Sequence, residues 1–142
     1  MARVLGIDYG QRKTGLAATD SLQIIASAID TIETTQLLDF LKRYLAENEV
    51  ECIVIGEPTH ADGNPTFLTP EIHAFAKTLE ALYPHLKIVL QDERYTTLEA
   101  RNYIKNSGMK KSKQNDRKLV DKIAAAIIIE EYMKENGIWE RY

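Results

Sequence analysis

The side chains in this chain best suited to chemistry are five carboxylates spread over most of its length: Asp8, Glu57, Asp92, Glu93 and Asp121. Asp8 follows the apolar run Val4-Leu5-Gly6-Ile7, and Gly10 and Gly15 bracket the polar turn after it. Glycines beside a carboxylate let something bulky approach, because no Cβ is in the way. Glu57 follows Cys52-Ile53-Val54-Ile55-Gly56 and precedes Pro58, while Asp92 and Glu93 close the run Ile88-Val89-Leu90. Carboxylates gathered without histidine partners suit hard cations such as Mg²⁺ or Mn²⁺. Two such ions about 3.5–4 Å apart activate a water and stabilise the leaving oxygen of a phosphodiester. The plainer reading of Asp8 is a turn cap.

Asp121 shares a helical face with Ala124, Ala125, Ile128 and Tyr132. An ionised Asp on an apolar face is costly unless it is paired or bound to a metal. Its plainer role is a negative charge near a helix start. His60, His73 and His85 lack zinc-ligand spacing and read as surface residues. The G-x-x-x-x-G from Gly10 to Gly15 is no P-loop, because Leu16 and Ala17 replace the Lys and Ser/Thr. Residues 110–118 hold Lys110, Lys111, Lys113, Arg117 and Lys118 against one acid, Asp116. That run is either a solvated loop or a track for a phosphate backbone beside Asp121. The net charge of −3 argues against indiscriminate coating of nucleic acid but allows such a local patch.

The elements that must position these groups follow from periodicity. Strands are expected at Val4–Ile7, Leu16–Ala18, Ile24–Ile29, Cys52–Ile55 and Ile88–Leu90. Helices are expected from the Thr34/Thr35 caps through Leu45, from Thr69-Pro70 through Leu82, from a Thr96/Glu99 capping box to Gly108, and from Leu119 to Lys134. Short turns make the first three strands an antiparallel meander. The helical crossovers make strands four and five parallel to the first. The expected product is an α/β mixed five-stranded sheet with helices on both faces, one domain over residues 1–142. All three distant strand ends then deliver acids to the carboxyl edge of the sheet, where ligands bind in open α/β folds. A single cysteine, Cys52, fits a reducing cytoplasm, and no apolar run is long enough to span a membrane.

With these residues in hand, the chain resembles the YqgF family, also called RuvX, almost from end to end. The marks are Asp8-x-Gly10 with Gly15-Leu16-Ala17, Gly56-x-Pro58 with Gly63, Asp92-Glu93-Arg94 with Thr96-Thr97, and Asp121 with Ala124-Ala125. The resemblance implies a ribonuclease H-like fold and a cytoplasmic bacterial nuclease that matures the 5′ end of pre-16S ribosomal RNA. It also implies Asp8, Glu93 and Asp121 as the catalytic, metal-holding acids, with Mg²⁺ or Mn²⁺ as the expected ion. Glu57 and Asp92 stand as auxiliary candidates. Gly10, Arg12, Lys13, Arg94, Lys110, Lys111, Lys113, Arg117 and Lys118 are the expected nucleic-acid contacts. The related RuvC-type resolvases carry an acid after the fourth strand and a pair on the last helix. Here that helical face has Asp121 alone, so cleavage of branched DNA is the alternative rather than the main reading. A non-catalytic factor that grips ribosomal RNA is the third, and an actin-like ATPase would need a second domain. Expected partners are pre-rRNA and the small-subunit precursor, with the chain itself a monomer or weak homodimer.

Overall fold

A computed structural model of the chain describes residues 2–58, 66–93, 96–107 and 117–139. The expectations for the loop at 59–65, Arg94, the helix stop at Gly108, and Lys110, Lys111 and Lys113 lie outside the described residues. So do the side chains of the Thr96/Glu99 capping box.

The strands are β1 (Arg3–Asp8), β2 (Lys13–Thr19), β3 (Ala26–Glu33), β4 (Val50–Glu57) and β5 (Lys87–Asp92). The helices are α1 (Leu37–Glu47), α2 (Thr69–Leu82), α3 (Thr96–Asn106) and α4 (Arg117–Glu135). The sheet order is β3-β2-β1-β4-β5. β1 pairs antiparallel with β2, and β2 with β3, whereas β1–β4 and β4–β5 are parallel. This is the mixed sheet expected from the alternation of meander and crossovers.

One face of the sheet packs Leu5, Ile7, Ile53 and Ile55 against Leu37 and Leu41 of α1 and Ile72, Ala76 and Leu79 of α2. The other packs Val4, Ala17, Cys52 and Val54 against Ala125, Ile128, Ile129 and Tyr132 of α4. α3 lies outside α4 through Ala100 and Ile104, which meet Val120 and Ala124. β1 and β4 are therefore buried on both sides, and their sequences are apolar almost throughout.

The third strand starts later than expected. The Asp20 carboxylate accepts the N–H groups of Leu22 at 3.1 Å, Ile24 at 2.8 Å and Ile25 at 2.9 Å. That binds the apolar pair into a turn and leaves Ile24 and Ile25 69% and 62% exposed. The first helix also departs from expectation, because no threonine caps it. Thr34 instead spends its hydroxyl on the carbonyl of Gly10 at 2.7 Å, and its N–H bonds to the carbonyl of Arg12 at 2.9 Å. These bonds pin the turn after Asp8 to the end of β3. α4 takes in Arg117 and Lys118 ahead of the expected Leu119 and ends before Gly137, whose φ of +71° suits only glycine well.

Candidate active site

Which acids meet is decided by the pleat. Side chains alternate between the two faces of a sheet. Leu5, Ile7 and Tyr9 face α1 and α2, so Asp8 faces α4. Ile53 and Ile55 face α1 and α2, so Glu57 does too, while Cys52, Val54 and Gly56 face α4. Ile88 and Leu90 carry Asp92 to the α2 side, and Val89 and Gln91 carry Glu93 to the α4 side. Asp8 and Glu93 thus share a face, and Glu57 and Asp92, which are register partners, share the opposite one. Strand spacing alone would favour Glu57 as the neighbour of Asp8, but the pleat puts Glu93, not Glu57, on the face of Asp8. Glu57 Oε1 instead sits 2.8 Å from His73 Nε2 on α2.

On the α4 face the Glu93 and Asp8 carboxyls are hydrogen-bonded to each other. Glu93 is buried, and its side chain lies across Gly56. Burial, the charge and hydrogen bond of Asp8, and the charges of Asp92 and Asp121 all push Glu93 well above the ordinary range for Glu. Asp8 keeps some exposed surface, but its carboxyl turns inward to Glu93. Burial raises it to about 7, helped by the charge of Asp121 and opposed by the bond from Glu93. The two carboxyls therefore keep protons to higher pH than free acids do, as paired carboxyls do when both cannot ionise.

Asp121 comes to the site because α4 lies directly on the hairpin. A Cβ on Gly15 would stand 2.1 Å from the Asp121 carbonyl oxygen, so only glycine allows this approach. Thr31 Oγ1 donates to the Lys118 carbonyl at 2.5 Å and ties the same end of α4 to β3. Burial raises the Asp121 carboxyl, and Arg117 and Arg101 pull it back. Arg101 was not among the residues expected from sequence. It sits on the exposed surface of α3, beside Ala100, which packs under α4. Only the packing of α3 on α4 reveals its place.

Next to Asp121 opens a cleft of about 360 Å³ lined by Gly10, Gln11, Arg12, Lys13, Arg117 and Asp121. Four of the expected nucleic-acid contacts (Gly10, Arg12, Lys13 and Arg117) therefore converge there. Lys118 is exposed on the first turn of α4. Among the described residues, no three Asp, Glu, His or Cys side chains form a ready cage for an ion. Asp8 and Glu93 touch, and Asp121 acts on them through its charge. The donor chemistry nevertheless fits a hard dication: all three groups are carboxylates, and two already hold a proton where a metal ion would place its charge.

The profile of the RuvX family, described as Holliday junction resolvase, matches residues 2–135. The chain belongs to the RuvX family. A relative from Flavobacterium johnsoniae, named "Putative pre-16S rRNA nuclease", is 41% identical over 133 residues, covering 94% of this chain and 96% of its own. One from Christiangramia forsetii with the same name is 38% identical over 135 residues, covering 95% and 100%. Among solved structures, Thermus thermophilus RuvC in complex with a Holliday junction superposes with a TM-score of 0.57 at 16% identity, covering 96% of this chain and 97% of that one. At that identity the likeness speaks for the fold, which is ribonuclease H-like. As a RuvX member the chain is a hydrolase of the nuclease class. No helix of the described residues is long and apolar enough to cross a membrane.

Proposed function

We propose that this RuvX chain is a divalent-metal-dependent nuclease that processes the 5′ end of pre-16S ribosomal RNA in the cytoplasm. The observation that carries the reading is the buried Asp8–Glu93 pair, with Asp121 at charge range and a cationic cleft alongside. The names of the curated relatives support the substrate, and the one buried cysteine suits a reducing compartment. Asp8, Glu93 and Asp121 would hold Mg²⁺ or Mn²⁺, which supplies a Lewis acid for the phosphoryl oxygens and an acidified water for attack. Arg12, Lys13 and Arg117 bind the phosphates entering the cleft, where arginine forks suit phosphate oxygens. Gly10 lets the turn close on the Lys13 carbonyl, and Gly15 lets the hairpin meet α4 at Asp121 with no side chain between them. Ile128 of α4, which meets the same space over Gly56 as Glu93, adds an apolar side chain to the setting that keeps Glu93 buried. Ala124, fully buried, stands on the Asp121 face where a second helical acid would be needed for the resolvase pattern.

The test is cleavage of labelled pre-16S RNA, single-stranded RNA and a four-way DNA junction, with Mg²⁺ or Mn²⁺ and with EDTA. Wild type cleaves pre-16S RNA only with metal, and Asp8→Asn does not. Cleavage that survives EDTA or Asp8→Asn overturns the reading, and preferential cutting of the junction moves the substrate to branched DNA.

A further inference from the structure

We propose that Gly56 is a positioning residue for Glu93: the space left by its missing Cβ is the space through which Glu93 reaches Asp8. The inference rests on the reading of Asp8 and Glu93 as metal-holding acids. Ile7 is level with Ile55 across β1 and β4, and Gly56 with Gln91 across β4 and β5. Gly56 is thus flanked by Asp8 on one side and by the strand that carries Glu93 on the other. Neighbouring strands are about 4.8 Å apart, so β5 lies roughly 10 Å from β1. Glu93 must cross β4 to bond Asp8, and position 56 is where it crosses. An ideal Cβ on Gly56 would lie 2.6 Å from Glu93 Cδ and 2.7 Å from Glu93 Oε2. It would also lie 2.5 Å from Ile128 Cδ1, so a side chain here would meet α4 as well as Glu93.

The backbone does not ask for glycine here. Among the described residues Gly137 is the glycine with positive φ, and Gly56 is not. Any L-residue could take the conformation, so what excludes a side chain at 56 is the volume claimed by Glu93 and Ile128. Any side chain on this face would act as a wedge between the two acids.

Gly56→Ala alone could clash with Ile128 and simply unfold, so the informative variant is Gly56→Ala in an Ile128→Val background, with Ile128→Val as reference. In the metal-free crystal structure of the double variant, the Glu93 carboxyl should stand away from Asp8. Mn²⁺ affinity by calorimetry should fall about tenfold or more, the scale set by partners that orient metal ligands. A double-mutant cycle supplies the readout that a merely structural role would not move. With Glu93→Gln already present, adding Gly56→Ala should cost no further affinity or cleavage. A Glu93 carboxyl still bonded to Asp8 in the double variant overturns the proposal. So does unchanged Mn²⁺ affinity, or a Gly56→Ala cost that persists in full beside Glu93→Gln. Should wild type neither bind Mn²⁺ nor cleave, the metal reading falls, and the crystal structure still decides whether Gly56 places Glu93.

Discussion

Replacing Asp8 with Asn should make the metal-free protein more stable at alkaline pH, although it removes the central acid of the site. The sign follows from linkage. Asp8 ionises near its ordinary 3.8 in the unfolded chain and near 7 in the folded one. Between those values the native state holds the extra proton, so stability falls as pH rises through that window and stays low above it. The gap between 3.8 and about 7, at about 1.36 kcal/mol per pH unit, corresponds to about 4 kcal/mol at most. Because Asp8 shares its proton with Glu93, part of that burden passes to Glu93 in the variant, and a net gain of about 2–4 kcal/mol is expected. For a chain of this length that raises Tm by roughly 10 °C. The assay is thermal melting of wild type and Asp8→Asn in EDTA from pH 3.5 to 9. The two curves should converge at the acid end, where Asp8 is protonated in both states, and separate above neutrality with the variant higher. Added Mn²⁺ should then raise the wild type by mass action and leave the variant where it was. A variant that is less stable at pH 8 in EDTA, or a difference that does not change with pH, refutes the strained acid pair.

Three further outcomes follow from the same geometry. Glu93→Gln should reduce metal-dependent cleavage about 100-fold or more, a few kcal/mol of transition-state stabilisation, whereas Glu57→Gln should change it by less than about twofold. Equal losses in a side-by-side rate measurement would mean that the pleat does not separate the two acids. Arg117→Ala and Arg101→Ala should each reduce the slope of log affinity against log salt by about one in RNA-binding titrations, and in each variant the Asp121 carboxyl should titrate higher. Gly15→Ala should destabilise the fold by about 3 kcal/mol or more in urea melts, because its Cβ would be driven into the Asp121 carbonyl, a backbone atom that cannot rotate away.

The antiparallel meander, the parallel central strands and the arrival of several acids at one edge were legible in the sequence, because short turns, helical crossovers and strand ends are written in local patterns. The side of the sheet on which each acid stands was not. In a half-exposed strand, alternating polar residues show the parity of every position. β4 is buried on both faces, so Cys52-Ile53-Val54-Ile55 is apolar at every step and carries no such record. From the residues alone Glu57 and Glu93 were therefore alike and only the family resemblance preferred Glu93, whereas the pleat separates them, with Ile7 level with Ile55. The misplaced start of β3 has a similar cause: Ile24 and Ile25 look like a buried strand, and one carboxylate, Asp20, turns them outward by taking their N–H groups. Arg101 is a third case, since a lone arginine on a helix has no local mark of function and gains one only from α3 packing against α4. Yet one clue to parity did lie in the chain. Gly56 interrupts the β-branched run Ile53-Val54-Ile55 at the position where a side chain would stand between two acids, and a glycine in a buried strand interior marks a close approach. Taken as a gap to be filled, it directs attention away from its neighbour Glu57, whose side chain points to the other face, and toward an acid on another strand long enough to reach across.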